Sequence, residues 1–238
     1  MDKLKDYIPG YLQGFTRVCI SYPFDYIRIF LQVNNKESIS QVIKKSNNLF
    51  RGLSIPLLSV PFDRAISFNI YETLKTKNYN KFECAAYPSI LSSIYMTPIN
   101  IINYNYIYYK QNIFSTIKAN IGKNIYRGNL VELTRNASSS SLFLLSYNYL
   151  STNNQNHLLN GSVSSIVMWS IMYPLDTIKT KKFIENKTYK DIFTNTKLLD
   201  YYRGFGLIML KTIPSAGIGM FVYENSKRFL EDATELKV

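Results

Sequence analysis

Three segments repeat one spacing of chemistry-bearing residues: YPFDYIR from Tyr22, TPINIIN from Thr97 and YPLDTIK from Tyr173. In the first and third, a proline (Pro23, Pro174) precedes an acid by two residues (Asp25, Asp176) and a base by five (Arg28, Lys179). In the second, Pro98 precedes the amides Asn100 and Asn103 at those positions. Acid and base three apart share one face of a helix and can offer charge to a helix opposite. The chemistry available is reversible ion pairing, not bond making. One such segment alone would be a helix stop running into a solvated charged turn. Three of them in register point to a shared task.

Two further cations lie deep in apolar stretches, Arg135 in LVELTRNASSSSLFLLSY and Lys211 in GLIMLKTIPSAGIGMFVY. An Arg inside such a helix faces a bundle interior or a wet cavity. Its planar fork suits bidentate binding of carboxylate or phosphate, whereas Lys supplies a point charge. Glu132 is the competing structural partner for Arg135. Arg17 and Arg64 are also set in apolar surroundings, with Asp63 beside Arg64 as a candidate partner. Four cations suit a highly charged anion such as a nucleotide better than a monocarboxylate.

The 238 residues carry 28 Lys and Arg against 16 Asp and Glu, a formal charge of +12, which favours anionic partners. Cys19 and Cys84 form no metal or redox spacing, and the single His157 sits beside the Asn-rich STNNQNH. No P-loop, nucleophile elbow or metal-ligand spacing is present, so neither an enzyme nor a bound cofactor or metal is expected. MDKLKD carries acids and runs straight into the first long segment, so no cleavable signal or transit peptide is expected. Mean hydropathy is −0.10, and few windows give the 18 clean apolar residues that mark a spanning helix.

The order in the chain resolves that ambiguity. The three prolines are 75 and 76 residues apart, and FRG at Phe50, YRG at Tyr126 and YRG at Tyr202 follow at 76 and 76. YETLK at Tyr71, YNYLS at Tyr147 and YENSK at Tyr223 close the units at the same spacing. One unit therefore occurs three times, over approximately 1–80, 81–156 and 157–238. Each reads as a long helix, a polar basic loop and a second long helix, predicted over 7–33 and 53–77, 83–111 and 129–151, and 158–183 and 205–230. Gly10 and Gly14, Ala85 and Ser89, and Gly161 and Ser165 are small residues four apart on the first helices, as in close membrane packings. The loops gather about half of the chain's cations on one side, a positive-inside bias if the helices span. Two spans per unit give all three units one orientation about an axis along the membrane normal.

The signature Pro-x-Asp/Glu-x-x-Lys/Arg at the end of the first helix of three repeats resembles the mitochondrial carrier family, over nearly the whole chain. The resemblance implies an all-α membrane protein with six transmembrane helices around a central cavity, in the mitochondrial inner membrane, working by alternating access. It implies that the first helices kink at Pro23, Pro98 and Pro174 and that their polar pairs close the matrix side. Asp176 would pair with Arg28, Asn100 would face Lys179 and Asp25 would face Asn103, with Gln32 bracing a pair. On the cytosolic side Glu224 would pair with Lys75, Asn148 would face Lys227 and Glu72 would face Ser151. Substrate contacts would fall at Ser59, at Arg135 with Asn136 and at Lys211, with Arg64 and Arg17 as further candidates. Arg51 and Gly52, Arg127 and Gly128, and Arg203 and Gly204 would hold a membrane lipid, cardiolipin, at helix N-termini.

The expectation is a monomeric carrier of small anionic metabolites, nucleotides first and oxo- or dicarboxylates as the alternative. Arg135-Asn136 resembles the contact pair of oxo-acid carriers. No nucleic-acid partner is expected: a basic, tyrosine-rich nucleic-acid-binding protein would share the charge, but would not need acids and bases fixed to three prolines. A membrane scaffold that has lost transport is the other rival, since the middle repeat has lost its charges.

Overall fold

The computed structural model describes residues 2–34, 36–121, 124–153, 157–185 and 187–235, and among them all regular structure is helical. Six helices are long: α1 (Asp2–Val33), α3 (Ser54–Thr76), α4 (Lys81–Tyr109), α6 (Asn129–Asn153), α7 (His157–Ile184) and α9 (Phe205–Glu235). Three are short: α2 (Ile39–Lys45), α5 (Ile113–Ile121) and α8 (Tyr189–Thr194), with a 3-10 turn at Leu198–Tyr202. The long helices agree with the expected spans to within about five residues at each end. Pro23, Pro98 and Pro174 lie within continuous helix.

The segments expected as loops contain the short helices, and their starts are built from local hydrogen bonds. Ser38 and Gln41 form a reciprocal capping box at α2, and Thr188 and Asp191 form another at α8. The Thr188 hydroxyl and backbone N–H hold the Asp191 carboxyl below the usual carboxylate range.

Each Arg-Gly pair makes a turn into a second long helix. Gly52, Gly128 and Gly204 have φ of 86°, 81° and 84°, a region that only glycine enters without strain. A Cβ on Gly52 would lie 2.7 Å from the Tyr22 hydroxyl, and one on Gly204 would lie 3.0 Å from that of Tyr173. Those hydroxyls donate to Arg51 O at 2.5 Å and Arg203 O at 2.8 Å, locking each turn to the helix before it.

The main apolar core sits where α1, α4 and α7 finish. Tyr22, Tyr26, Ile29 and Phe30 of α1 pack there with Ile101, Tyr104 and Ile107 of α4 and Phe183 of α7. Along their lengths α1 lies on α9, α3 on α4, α4 on α6 and α6 on α7. The Ser89 and Ser140 hydroxyls meet at 2.7 Å between α4 and α6, a close approach that small residues permit. Gly14 and Gly161 behave otherwise: among the described residues a Cβ on either meets nothing within 4 Å.

The outward faces of the long helices are apolar, with Leu58, Phe62, Leu145, Tyr149, Leu210 and Phe221 all more than half exposed. No described helix is long and apolar enough to cross a membrane by its hydropathy. Hydroxyl-rich runs such as Ser138–Ser141 and the charges described below dilute that average.

Adding a Cβ to the Arg-Gly turns tests the packing. Gly52→Ala and Gly204→Ala should each cost about 1–3 kcal/mol, the strain of a non-glycine residue in this region. Gly14→Ala should be nearly neutral. Thermal unfolding in detergent measures all three.

Candidate functional site

The 3.6-residue period of α1 places Asp25, Arg28 and Gln32 on one face, turned towards α7. Arg28 donates to Asp176 at 2.8 Å, and both are almost fully buried. Gln32, itself buried, donates to the same carboxylate oxygen at 3.0 Å and reaches the Thr177 hydroxyl at 3.3 Å. The expected pair and its glutamine brace are thus in contact. Lys179 lies 3.7 Å from Asp176 on its own helix, with its ammonium over the rings of Tyr104 and Phe183. Each charge therefore meets an opposite charge or an aromatic face, as low-dielectric surroundings require.

The other two expected juxtapositions are replaced. Asp25 faces Lys211, at 2.5 Å, and not Asn103, whose Oδ1 is buried without a hydrogen-bond partner among the described residues. An ammonium outbids a neutral amide for a carboxylate because its hydrogen bond is charge-assisted. Asn100 does not hold Lys179 directly; it donates to Glu132 Oε1 at 2.7 Å, and Lys179 lies 3.9 Å from that same oxygen. The Thr97 hydroxyl donates to the other oxygen at 2.5 Å. Glu132, 2% exposed, is the residue missed in the sequence. Its sequence signal, a lone acid in an apolar helix start, equally fits a structural partner for Arg135, the role expected of it.

The expected substrate cations join this belt. Arg135 lies 3.5 Å from Asp176, stands over the Trp169 ring at 5.0 Å, and donates to Asn136 at 2.8 Å. Asn136 donates in turn to Ser93 at 3.0 Å. Ser59 is half-buried on α3, at the place that Arg135 and Lys211 hold on α6 and α9. Arg17 and Arg64 are exposed, and neither forms an ion pair among the described residues. Asp63 does not serve Arg64; it accepts from Ser92 at 2.5 Å and Tyr95 at 2.7 Å.

At the opposite end, Lys75 and Asn148 are exposed and the Ser151 hydroxyl is buried. The side chains of Glu72, Glu224 and Lys227 fall outside the described residues. The expected cytosolic pairs are therefore not brought into view.

The Arg-Gly guanidinium groups turn to helix ends. Arg51 donates to Tyr106 O at 3.2 Å and Gln111 O at 2.5 Å, at the end of α4. Arg127 donates to Phe183 O in the last turn of α7, at 2.9 and 2.5 Å, and to Asn120 at 2.8 Å. Arg203 donates to Glu37 O just beyond α1. At the ends of α4 and α7 a cation is favoured by the negative end of the helix dipole; Glu37 O, just ahead of α2, offers Arg203 a carbonyl acceptor without that help. Beside Arg203 and Gly204 a cleft of about 420 Å³ opens, floored by Leu31, Ile39, Leu207 and Leu210.

A helical bundle with apolar outer faces and a belt of buried, paired charges fits the class of solute carriers. More narrowly, the chain belongs to the mitochondrial carrier protein family, whose sequence model matches residues 2–82 and 151–234. It is a transporter of the mitochondrial inner membrane. The unmatched middle contains Thr97, Asn100, Asn103 and Asn148. A glutamate/glycine mitochondrial carrier of Schizosaccharomyces pombe is 23% identical, covering 92% of both chains. A mitochondrial arginine transporter of Arabidopsis thaliana is 22% identical, over 95% of this chain and 91% of its own. A mitochondrial glycine transporter of Saccharomyces cerevisiae is 20% identical, over 95% and 92%.

Removing one partner of the central pair should be costly. Asp176→Asn takes from buried Arg28 its partner at 2.8 Å, leaving only Asp25 at 3.6 Å, and should lower stability by about 3 kcal/mol. Asp25→Asn should cost less, since its carboxylate is 25% exposed. Unfolding midpoints in detergent rank the two.

Proposed function

We propose that this chain is one carrier domain of three repeats, with six membrane-spanning helices, that moves an amino acid across the inner membrane by alternating access. The six long helices have 23 to 32 residues. At about 1.5 Å per residue even the shortest exceeds the roughly 30 Å of bilayer hydrocarbon. Their apolar outer faces suit lipid, and the buried belt lies at the end bearing the basic loops, the matrix side under the positive-inside rule. The conformation is then the one closed to the matrix.

The observation that carries the substrate reading is the pairing of the two inner cations. Arg135 and Lys211 lie 3.5 and 2.5 Å from Asp176 and Asp25, and the belt sets four cations against three acids, an excess of one charge that is too small for a polyanion. That pairing removes the main support for a nucleotide or a dicarboxylate. Two acid–base couples side by side instead suit a ligand with both an ammonium and a carboxylate. The ligand's carboxylate would take Arg135 or Lys211, and its ammonium the freed aspartate. The relatives named for glycine, glutamate and arginine support the same substrate class. Displacing Asp176 from Arg135 would also loosen the Arg28 pair, linking occupancy to opening.

Gly14 and Gly161, uncrowded here, would become contacts when the cytosolic end closes. The cleft at Arg203 and Gly204, polar at one end and apolar along its floor, fits an anionic lipid.

Reconstitution into liposomes with labelled glycine, glutamate, arginine and ATP tests the reading. Uptake of at least one amino acid should exceed that of ATP by about tenfold, and Arg135→Ala or Lys211→Ala should remove about that factor. Saturable ATP uptake with no amino-acid uptake would overturn it. Gly161→Leu should leave the unfolding midpoint near that of the parent protein and abolish uptake.

A further inference from the structure

The middle repeat has lost the acid of its proline motif, yet Lys179 still has a carboxylate. We propose that Glu132 on α6 is the third acid of the matrix gate, relocated from α4 to a neighbouring helix. This inference rests on the belt being a gate.

Three differences within the chain coincide. At the position before the proline, Tyr22 and Tyr173 correspond to Thr97. At the acid position, Asp25 and Asp176 correspond to Asn100. Four residues after the Arg-Gly glycine, Pro56 and Ile208 correspond to Glu132. Each change departs from its two counterparts, and the structure brings all three side chains together. Thr97 donates to Glu132 Oε2 at 2.5 Å, and Asn100 donates to Oε1 at 2.7 Å. Asn129 supports Thr97, donating to its hydroxyl at 2.9 Å. The tyrosines at the first position instead reach the Arg-Gly turns, a span that threonine does not have.

A general structural acid in this place would need only hydrogen bonds. Glu132 also lies 3.9 Å from Lys179, whose own-helix acid, Asp176 at 3.7 Å, is shared with Arg28 and Arg135. An ammonium 6% exposed needs compensating charge, and with Asp176 divided among three cations Glu132 supplies the second carboxylate. The leg of the gate between α4 and α7 thus runs through α6: Asn100 to Glu132 to Lys179. Arg135 stands three residues on, on the same helix, so a ligand that pulls on Arg135 also moves a gate carboxylate. Glu132 acts through Lys179 and is a positioning residue.

The test returns the acid to α4. Uptake of labelled glycine and arginine by the full chain in liposomes, with unfolding midpoints in detergent, is compared for Glu132→Gln, Asn100→Asp, the double variant and Lys179→Gln. Glu132→Gln should cut the uptake rate by about tenfold and lower the midpoint by about 4 °C. Adding Asn100→Asp to it should restore uptake to within about threefold of the parent protein. If Glu132→Gln behaves as the parent while Lys179→Gln is impaired, the gate stands and the relocation is wrong. A double variant no better than Glu132→Gln makes Glu132 a packing residue and also overturns it. If Glu132→Gln does not fold, a folded, transporting double variant supports the relocation and a failed one refutes it. Should Lys179→Gln and Asp176→Asn both transport normally, the gate reading itself falls.

Discussion

Arg28 and Asp176 are two full charges held 2.8 Å apart with almost no access to water, and the rest of the structure is arranged around that constraint. Removing such ions from water costs several kcal/mol each, and only good geometry and further hydrogen bonds repay it. Gln32 supplies a further bond to Asp176 and the Tyr104 hydroxyl accepts one from Arg28, and the aromatic cluster of Tyr22, Tyr26, Tyr104 and Phe183 keeps water out. The proline-bearing helices must converge at this end for the pair to form. Their convergence in turn fixes where α3, α6 and α9 begin.

The belt shares its charges out economically. Arg28, Arg135, Lys179 and Lys211 are met by Asp25, Asp176 and Glu132, and Asp25 and Asp176 each serve more than one cation. A nearly balanced interior binds a balanced ligand with the least electrostatic penalty, because each charge brought in replaces one already present. The same balance makes the network exchangeable: a ligand's carboxylate can stand where a protein carboxylate stood.

The long helices were legible in the sequence because three landmarks shared a 76-residue spacing, which fixed their number and ends together. The Arg28–Asp176 contact and the Gln32 brace were implied by the resemblance to the carrier family, carried over by motif position. The remaining pairings did not, because a pattern written on one type of helix says nothing of charges arriving from the other. Lys211 on α9 captured Asp25, and Glu132 on α6 captured Asn100, each by a contact across helices that no local spacing encodes. The basic loops conceal short helices for a simpler reason: the capping boxes of α2 and α8, Ser38 with Gln41 and Thr188 with Asp191, are single polar pairs that polar sequence around them does not set apart. Gly14 and Gly161 are small residues expected at close packing, but among the described residues nothing lies within 4 Å of a Cβ on either. Residue size is written in the sequence; the state in which the size matters is not.

The three guanidinium groups after the first helices close a circle. Arg51 reaches from the first unit to the end of α4, Arg127 from the second to the end of α7, and Arg203 from the third to the stretch beyond α1. Each tie runs forward by one unit, so the set works as a hoop around one rim of the bundle. A hoop resists the splaying of any one helix but permits a tilt common to all, since a tilt turns every tie without stretching it. Such a hoop would make movement at this rim collective, favouring a joint roll of the three segments, like staves in a barrel, over the departure of one.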